Sequence, residues 1–457
     1  MISLTGTFLL AAWLSAGAVS FYVVRDAFSP DKLALAMLGL FFADIFFDDY
    51  SLELCFVYAL LILTLAVTVV LARGPILRHS RMASVASAPS GTHFKNGVPL
   101  VGYKFFWLVS LPALVAQVYM IQIFGGIEGY INSLELRVVE FRGLGPIFSL
   151  IRTYSIVNLI YFSFLVTRRK RKIRHVVIYG LHLLIFVVMA LLTASRGSLL
   201  INFVLMALIY HHSVRRIHIL WLFIFAVGAL LTASVLEVAR QGVAFKDGVL
   251  ITGLSEVRQP EKQATFVWAK VGLIPLELVL EASHVNMYYG STYLTVLTNI
   301  IPRDIWPTKP DTGGLILTKE YTGEAWGGFS NLSTGIIPEA IINFGKPLGI
   351  VFGGLQFGML VGGLLLYYAR YRRRLVMNDP YKFIDSVRFS YITWGMAGLV
   401  TSEFTNVMVN LVIQLTTVWA VYRLIRLFSN RSARRSARKL PRLPDYPSRH
   451  LGAHAQK

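Results

Sequence analysis

One cysteine, Cys55, occurs in 457 residues, so no intramolecular disulfide, dithiol redox centre or Cys-ligated metal is open to this chain. Acids are scarce as well, with 24 Asp and Glu against 44 Lys and Arg. Charged residues of both signs make up only 15% of the chain while 55% is hydrophobic, which excludes an ordinary soluble domain. There is no P-loop, G-x-S-x-G elbow, H-E-x-x-H or dinucleotide fingerprint, so ATP hydrolysis and familiar hydrolase chemistry have no motif to rest on. Met1 to Val24 lacks a basic start and a clear small-residue cleavage site, and reads as a retained first helix.

What is present is a succession of apolar stretches. A helix needs about 20 apolar residues to cross the hydrocarbon core. Eleven spans are expected, at roughly 3–24, 32–48, 51–72, 101–125, 149–167, 176–194, 198–211, 219–237, 347–369, 384–402 and 405–426. The expected fold is an all-α polytopic membrane protein with about eleven transmembrane helices. Residues 1–236 form an N-terminal bundle, 237–345 a large external loop domain, 346–426 the C-terminal helices and 427–457 a basic tail.

The net charge of +20 points to the bilayer and not to nucleic acid, because of where the charges fall. Arg25 and Lys32 follow the first span, Arg168 to Arg174 the fifth, Arg215 and Arg216 the seventh, and the tail from Arg423 is strongly basic. If the spans alternate, thirty of the 44 basic residues share one side, which the positive-inside pattern makes cytoplasmic. The N-terminus is then external and the C-terminus cytoplasmic. The tail reads first as a solvated end that fixes topology.

The 109-residue segment 237–345 carries eleven of the 24 acids together with apolar runs too short to cross, such as Val271 to Leu280. Short helices lying in the outer interface and capping the bundle are expected there. Within the ninth span Gly349, Gly353, Gly354, Gly358, Gly362 and Gly363 recur at helical spacing, a pattern for close helix packing.

Four arginines at the external boundary suit an anionic ligand: Arg196, Arg240, Arg258 and Arg303. A guanidinium stays charged at any pH and donates two parallel hydrogen bonds to a phosphate. Arg196 also precedes a helix start, where free N–H groups favour anions. The plainer alternative pairs Arg240 with Glu237, Arg258 with Glu256 and Arg303 with Asp304. Candidate bases are the carboxylates Glu256, Glu324, Glu339 and Glu403, together with His284. Asp44, Asp48 and Asp49 offer oxygen ligands for a hard cation, or simply mark a helix end.

Several stretches resemble bacterial oligosaccharide repeat-unit polymerases, the Wzy-type O-antigen polymerases. They are Gly290-Ser291-Thr292-Tyr293 through Ile301-Pro302-Arg303-Asp304-Ile305-Trp306-Pro307, then Ser333-Thr334-Gly335 through Pro338-Glu339-Ala340, and Asn343-Phe344-Gly345. The turn Ser195-Arg196-Gly197-Ser198 and the eleven-residue spacing of Arg303 and Gly314 fit the same pattern. The resemblance spans about residues 190–365. It implies a membrane glycosyltransferase of GT-C type in a bacterial inner membrane. Such an enzyme polymerises undecaprenyl-pyrophosphate-linked oligosaccharides by inverting transfer on the periplasmic side, for O-antigen, capsule or exopolysaccharide. No cofactor or metal is implied, and a chain-length regulator and a flippase are the implied partners. Arg196, Arg240, Arg258 and Arg303 would hold the pyrophosphate, with Glu339, Glu256 or His284 as base. Three rivals stand beside this reading. An O-antigen ligase shares the donor, and a metal-dependent lipid-sugar transferase would use Asp48 and Asp49. A lipid-linked oligosaccharide flippase calls for polar groups at mid-depth of several spans, of which the sequence shows few.

Overall fold

The structure is a computed structural model describing residues 3–85, 102–133, 140, 141, 143–168, 173–192, 196–218, 221, 228, 243–246, 249–252, 270–299, 301, 305–322, 332–376 and 381–438. Its first helix, α1 (Leu4–Val23), starts where the Ser3 hydroxyl accepts from the Gly6 N–H at 2.9 Å, and it carries no charge along its length. The next helices are α2 (Pro30–Phe41), α3 (Leu52–Val85), α4 (Tyr103–Ile123), the seven-residue α5 (Ile127–Ser133), α6 (Gly145–Thr167), α7 (Ile173–Leu192) and α8 (Arg196–Ser213), all but α5 on apolar stretches.

Four short helices lie in segment 237–345: α9 (Leu273–Glu281), α10 (Ser291–Thr298), α11 (Gly313–Tyr321) and α12 (Ile336–Phe344). The chain then enters α13 (Lys346–Val376), α14 (Lys382–Ala397) with a 3-10 turn at Gly398–Val400, and α15 (Phe404–Arg438). One departure from helix was not anticipated. Strands β1 (Val243–Lys246) and β2 (Val249–Thr252) pair antiparallel, with Val243 opposite Thr252.

Among the described residues seven helices are long and apolar enough to cross a membrane: α1, α3, α4, α6, α7, α13 and α15. Three of the other expected spans form shorter helices. The twelve residues of α2 rise only about 18 Å before the chain turns into a 3-10 segment at Ala43–Phe46. Helix α8 has 18 residues and α14 has 16. The eighth expected span, 219–237, lies outside the described residues apart from Trp221 and Gly228.

Lys32, expected in a cytoplasmic loop, is instead buried at the start of α2. Its ammonium donates to the Val24 carbonyl at 2.7 Å and the Ser29 hydroxyl at 3.0 Å, and pairs with Asp31 at 3.2 Å. An ammonium so fully bonded can be taken out of water, so charge alone did not mark it as exposed.

The glycines of α13 serve two faces. A Cβ at Gly349 would stand 2.4 Å from the Ile341 Cα, and one at Gly353 would stand 2.8 Å from the Ile337 Cδ1. Glycines 358 and 362 instead meet Thr64 and Thr68 of α3. Helix α12 therefore folds back against the first turns of α13 through the turn at Gly345, while α3 packs along the other face. This hairpin carries Glu339 inward, beside helices that begin a membrane crossing.

Candidate functional site

Glu339 sits among Ile337, Ala340, Ile341 and Ile342, with 1% of its surface exposed. Its Oε2 accepts the Phe404 backbone N–H at 2.8 Å, an otherwise open donor at the start of α15. Thr292 donates to Oε1 at 3.0 Å and Thr334 to Oε2 at 3.4 Å. Burial pushes its carboxyl up to about 7; the Phe404 N–H and the two threonines oppose that shift, and the nearby charge of Glu403 adds to it.

Glu403, the residue before α15, is 3% exposed. Its Oε2 accepts the Gly314 N–H at 3.2 Å and the Asn406 amide at 3.4 Å. Burial raises its pKa, with the Thr312 hydroxyl and the Gly314 N–H pulling the other way. Its Oε1 is buried and has no hydrogen bond of regular geometry. Two buried carboxylates, each raised and each near the other, are the arrangement that holds a proton ready for exchange.

The glycines around them are needed for space. A Cβ at Gly313 would stand 3.2 Å from the Glu339 carboxyl, and one at Gly314 would lie 2.6 Å from Glu403 Oε2 and 2.4 Å from the Leu332 carbonyl oxygen. Gly335 has φ +75°, and a Cβ there would approach the Val400 carbonyl oxygen to 2.6 Å. Asn343 completes the cluster. It donates to the Thr292 hydroxyl at 2.6 Å and accepts the Gly290 N–H at 2.9 Å. Segments 290–293, 313–314, 333–340 and 343, far apart in the chain, thus meet around one acid.

From Glu403 a polar row descends α15 through Asn406 and Asn410, positions three and seven residues on and so on one helix face. Asn410 accepts from the guanidinium of Arg152 at 2.8 Å. Arg152 lies in the second turn of α6, inside a membrane-crossing helix, with exposed surface and no acid paired with it among the described residues. A charge at that depth is costly unless it lines a polar cavity or binds a ligand. Arg152 was absent from the sequence candidates, although its place three residues into an apolar span was a usable signal.

The other expected site residues are less closely gathered. His284 is exposed, on the segment between α9 and α10, and makes no hydrogen bond among the described residues; it does not join the carboxylate pair. Arg240, Arg258, Arg303 and Glu256 lie outside the described residues, as does Glu324. Arg196 is the first residue of α8, and its side chain is outside the described part.

Two further groups bear on metals. The acids after α2 are engaged by a lysine: Lys270 is 3.0 Å from Asp44 and 3.5 Å from Asp48, and the Tyr50 hydroxyl donates to Asp44 at 2.6 Å. An ammonium fills the position a cation would take. Asp26, His211 and His212 offer three ligand atoms within 4.8 Å of one another. The Ile217 N–H donates to His211 Nδ1 at 3.0 Å, so the ring proton sits on Nε2 and is given to Asp26 at 2.8 Å. A metal-bound imidazole needs the reverse, with its second nitrogen donating. The hydrogen bonds of His211 therefore do not fit a metal ligand.

No protein-family model, no curated protein and no solved structure matches this chain.

Proposed function

We propose that the protein is a membrane-embedded glycosyltransferase that polymerises undecaprenyl-pyrophosphate-linked oligosaccharides, acting at the end of the bundle where Glu339 and Glu403 lie. The observation that carries this reading is the buried carboxylate pair, capped by the loop helices and continued into the membrane by Asn406, Asn410 and Arg152. The segments that resemble repeat-unit polymerases are the ones that meet there. In this reading the eleven-span topology holds, with the carboxylates on the periplasmic side of a bacterial inner membrane.

The chemistry follows from the residues. A sugar hydroxyl of the acceptor attacks the anomeric carbon of the donor while the bond to the pyrophosphate oxygen breaks. The leaving pyrophosphate takes that electron pair, and the hydroxyl proton passes to Oε1 of Glu403, which has no hydrogen bond of regular geometry. Glu339 sets the charge and position of Glu403 through the start of α15, which makes it a positioning residue. Arg152 supplies a fixed cation for the charge that develops on the leaving group, with Arg196, Arg240, Arg258 and Arg303 as further pyrophosphate ligands. A groove of about 530 Å³ between α4 and α6, lined by Leu111, Pro112, Val115 and Ile147, offers an apolar wall for a prenyl chain.

The test is reconstitution of the purified protein with an undecaprenyl-pyrophosphate-linked oligosaccharide. A ladder of products is expected, and Glu403→Gln should stop it while the protein still folds and inserts. Transfer to a lipid A core in place of a second repeat would identify a ligase instead.

A second reading has its own observation. His182 of α7 is buried, with Ser110 at 3.0 Å and Asn158 at 2.9 Å on its two ring nitrogens, and Tyr179 donates to Asn158 at 3.3 Å. With Arg152 and Asn410, this gives the bundle more polar groups at depth than the sequence suggested. That favours a lipid-linked oligosaccharide flippase as the alternative, and movement of the lipid between leaflets without a new glycosidic bond would establish it.

A further inference from the structure

At the other end of the bundle, residues at and just beyond the ends of α1 and α8 line a cavity of about 460 Å³. Tyr368, which donates to Asp26 at its floor, lies 22 residues along α13 from Lys346, so the two sites are about 33 Å apart along that helix. The cavity is walled by Arg25, Arg215 and Arg216, all exposed and with no ion pair among the described residues. His218 joins them, and Phe21 and Ile217 give one apolar side.

The loop that carries two of these arginines is held from beneath. His211 Nδ1 accepts the Ile217 N–H, which ties segment 214–218 to the end of α8. The other nitrogen of the ring donates to Asp26 at 2.8 Å, and the Phe28 N–H also donates to that oxygen at 3.1 Å. Tyr368 occupies the second oxygen of Asp26, and His212 stands 4.0 Å from it. The floor carboxylate thus has both oxygens engaged by protein groups. Three guanidinium charges face one carboxylate, so the cavity is net cationic.

We propose that this cavity binds a phosphate-bearing anion, held by the forked donors of Arg25, Arg215 and Arg216 on a loop pre-positioned by the Asp26–His211–Ile217 chain. The guanidinium geometry suits phosphate oxygens, and fixing the loop in advance removes part of the ordering cost of binding. Phe21 is 42% exposed on a membrane-crossing helix at the mouth, so a lipid chain attached to the phosphate would have an apolar path. The proposal is independent of the activity assigned to the carboxylate end.

The full-length protein in phosphatidylcholine nanodiscs doped with phosphatidylglycerol tests it, with bound lipid counted by native mass spectrometry. A parallel arm titrates the detergent-solubilised protein with inorganic phosphate and follows thermal unfolding. Wild type should hold phosphatidylglycerol at least about tenfold more tightly than the double variant Arg215→Gln/Arg216→Gln, with Arg25→Gln weakened in the same direction. Arg215→Lys/Arg216→Lys should lie between, since charge remains but the fork is lost. Stabilisation of wild type, but not the Gln variants, by inorganic phosphate would show that the free anion suffices. Phosphatidylglycerol discrimination without it would assign the site to a lipid headgroup. Equal lipid binding and equal phosphate response in wild type and variants overturns the proposal.

Discussion

Glu339 and Glu403 differ in what their oxygens still lack. Both oxygens of Glu339 accept hydrogen bonds, whereas Oε1 of Glu403 has none of regular geometry. For the proposed transfer, that difference favours Glu403 as the proton acceptor. It also gives a pH dependence with a fixed sign. The Glu339 carboxyl, raised from 4.5 to about 7, binds its proton more tightly folded than unfolded. The contribution of this carboxyl to stability is therefore fully present below 4.5 and is lost as pH rises through about 7, by about 3 kcal/mol in all. Thermal unfolding in detergent across that window should show this slope in wild type and a flatter one in Glu339→Gln. Transfer has the opposite trend, because Glu403 must be ionised to accept the proton and burial raises its pKa: the rate should climb as pH rises above the ordinary carboxylate range. Arg152 gives a separate prediction. Arg152→Gln should lower product formation about 100-fold with folding intact, and Arg152→Lys should recover part of it. Unchanged product from Arg152→Gln removes this residue from the site.

Among the elements, the α12–α13 hairpin has a strict steric requirement. Gly349 faces backbone atoms of Ile341 and Ala340 at 2.4 to 2.8 Å from a built Cβ, whereas Gly363 of the same helix has nothing within 4 Å. Gly349→Leu should cost about 3 kcal/mol and move Glu339, so stability and product formation fall together. Gly363→Leu should stay within about 0.5 kcal/mol. A matching loss in both variants, read by thermal unfolding, would mean that spacing along α13 and not contact sets the cost. The existence of a close-packed glycine helix was legible in its four-residue repeat. Which glycine meets which neighbour was not, because the repeat does not reveal that α12 turns back at Gly345.

For the molecule as a whole, the proposed orientation places His284 and the carboxylates outside and Arg215 inside. Native Cys55 is 7% exposed, so cysteines added at the surface report with little background. An impermeant maleimide should label Ser283→Cys in intact spheroplasts and Val214→Cys only after permeabilisation. The reverse pattern would place the carboxylate end in the cytoplasm. Composition and the rhythm of apolar stretches determined a polytopic helical membrane protein, because the cost of burying backbone polar groups in lipid permits little else. The short helices of segment 237–345 were legible in the same way, from apolar runs too short to cross. Glu339 was recognisable as one acid among several. Its partnership with Glu403, 64 positions later, and the row leading to Arg152 were decided only by tertiary structure. A carboxylate's pKa depends on burial and on neighbours brought by other helices, and neither is written in the residues beside it.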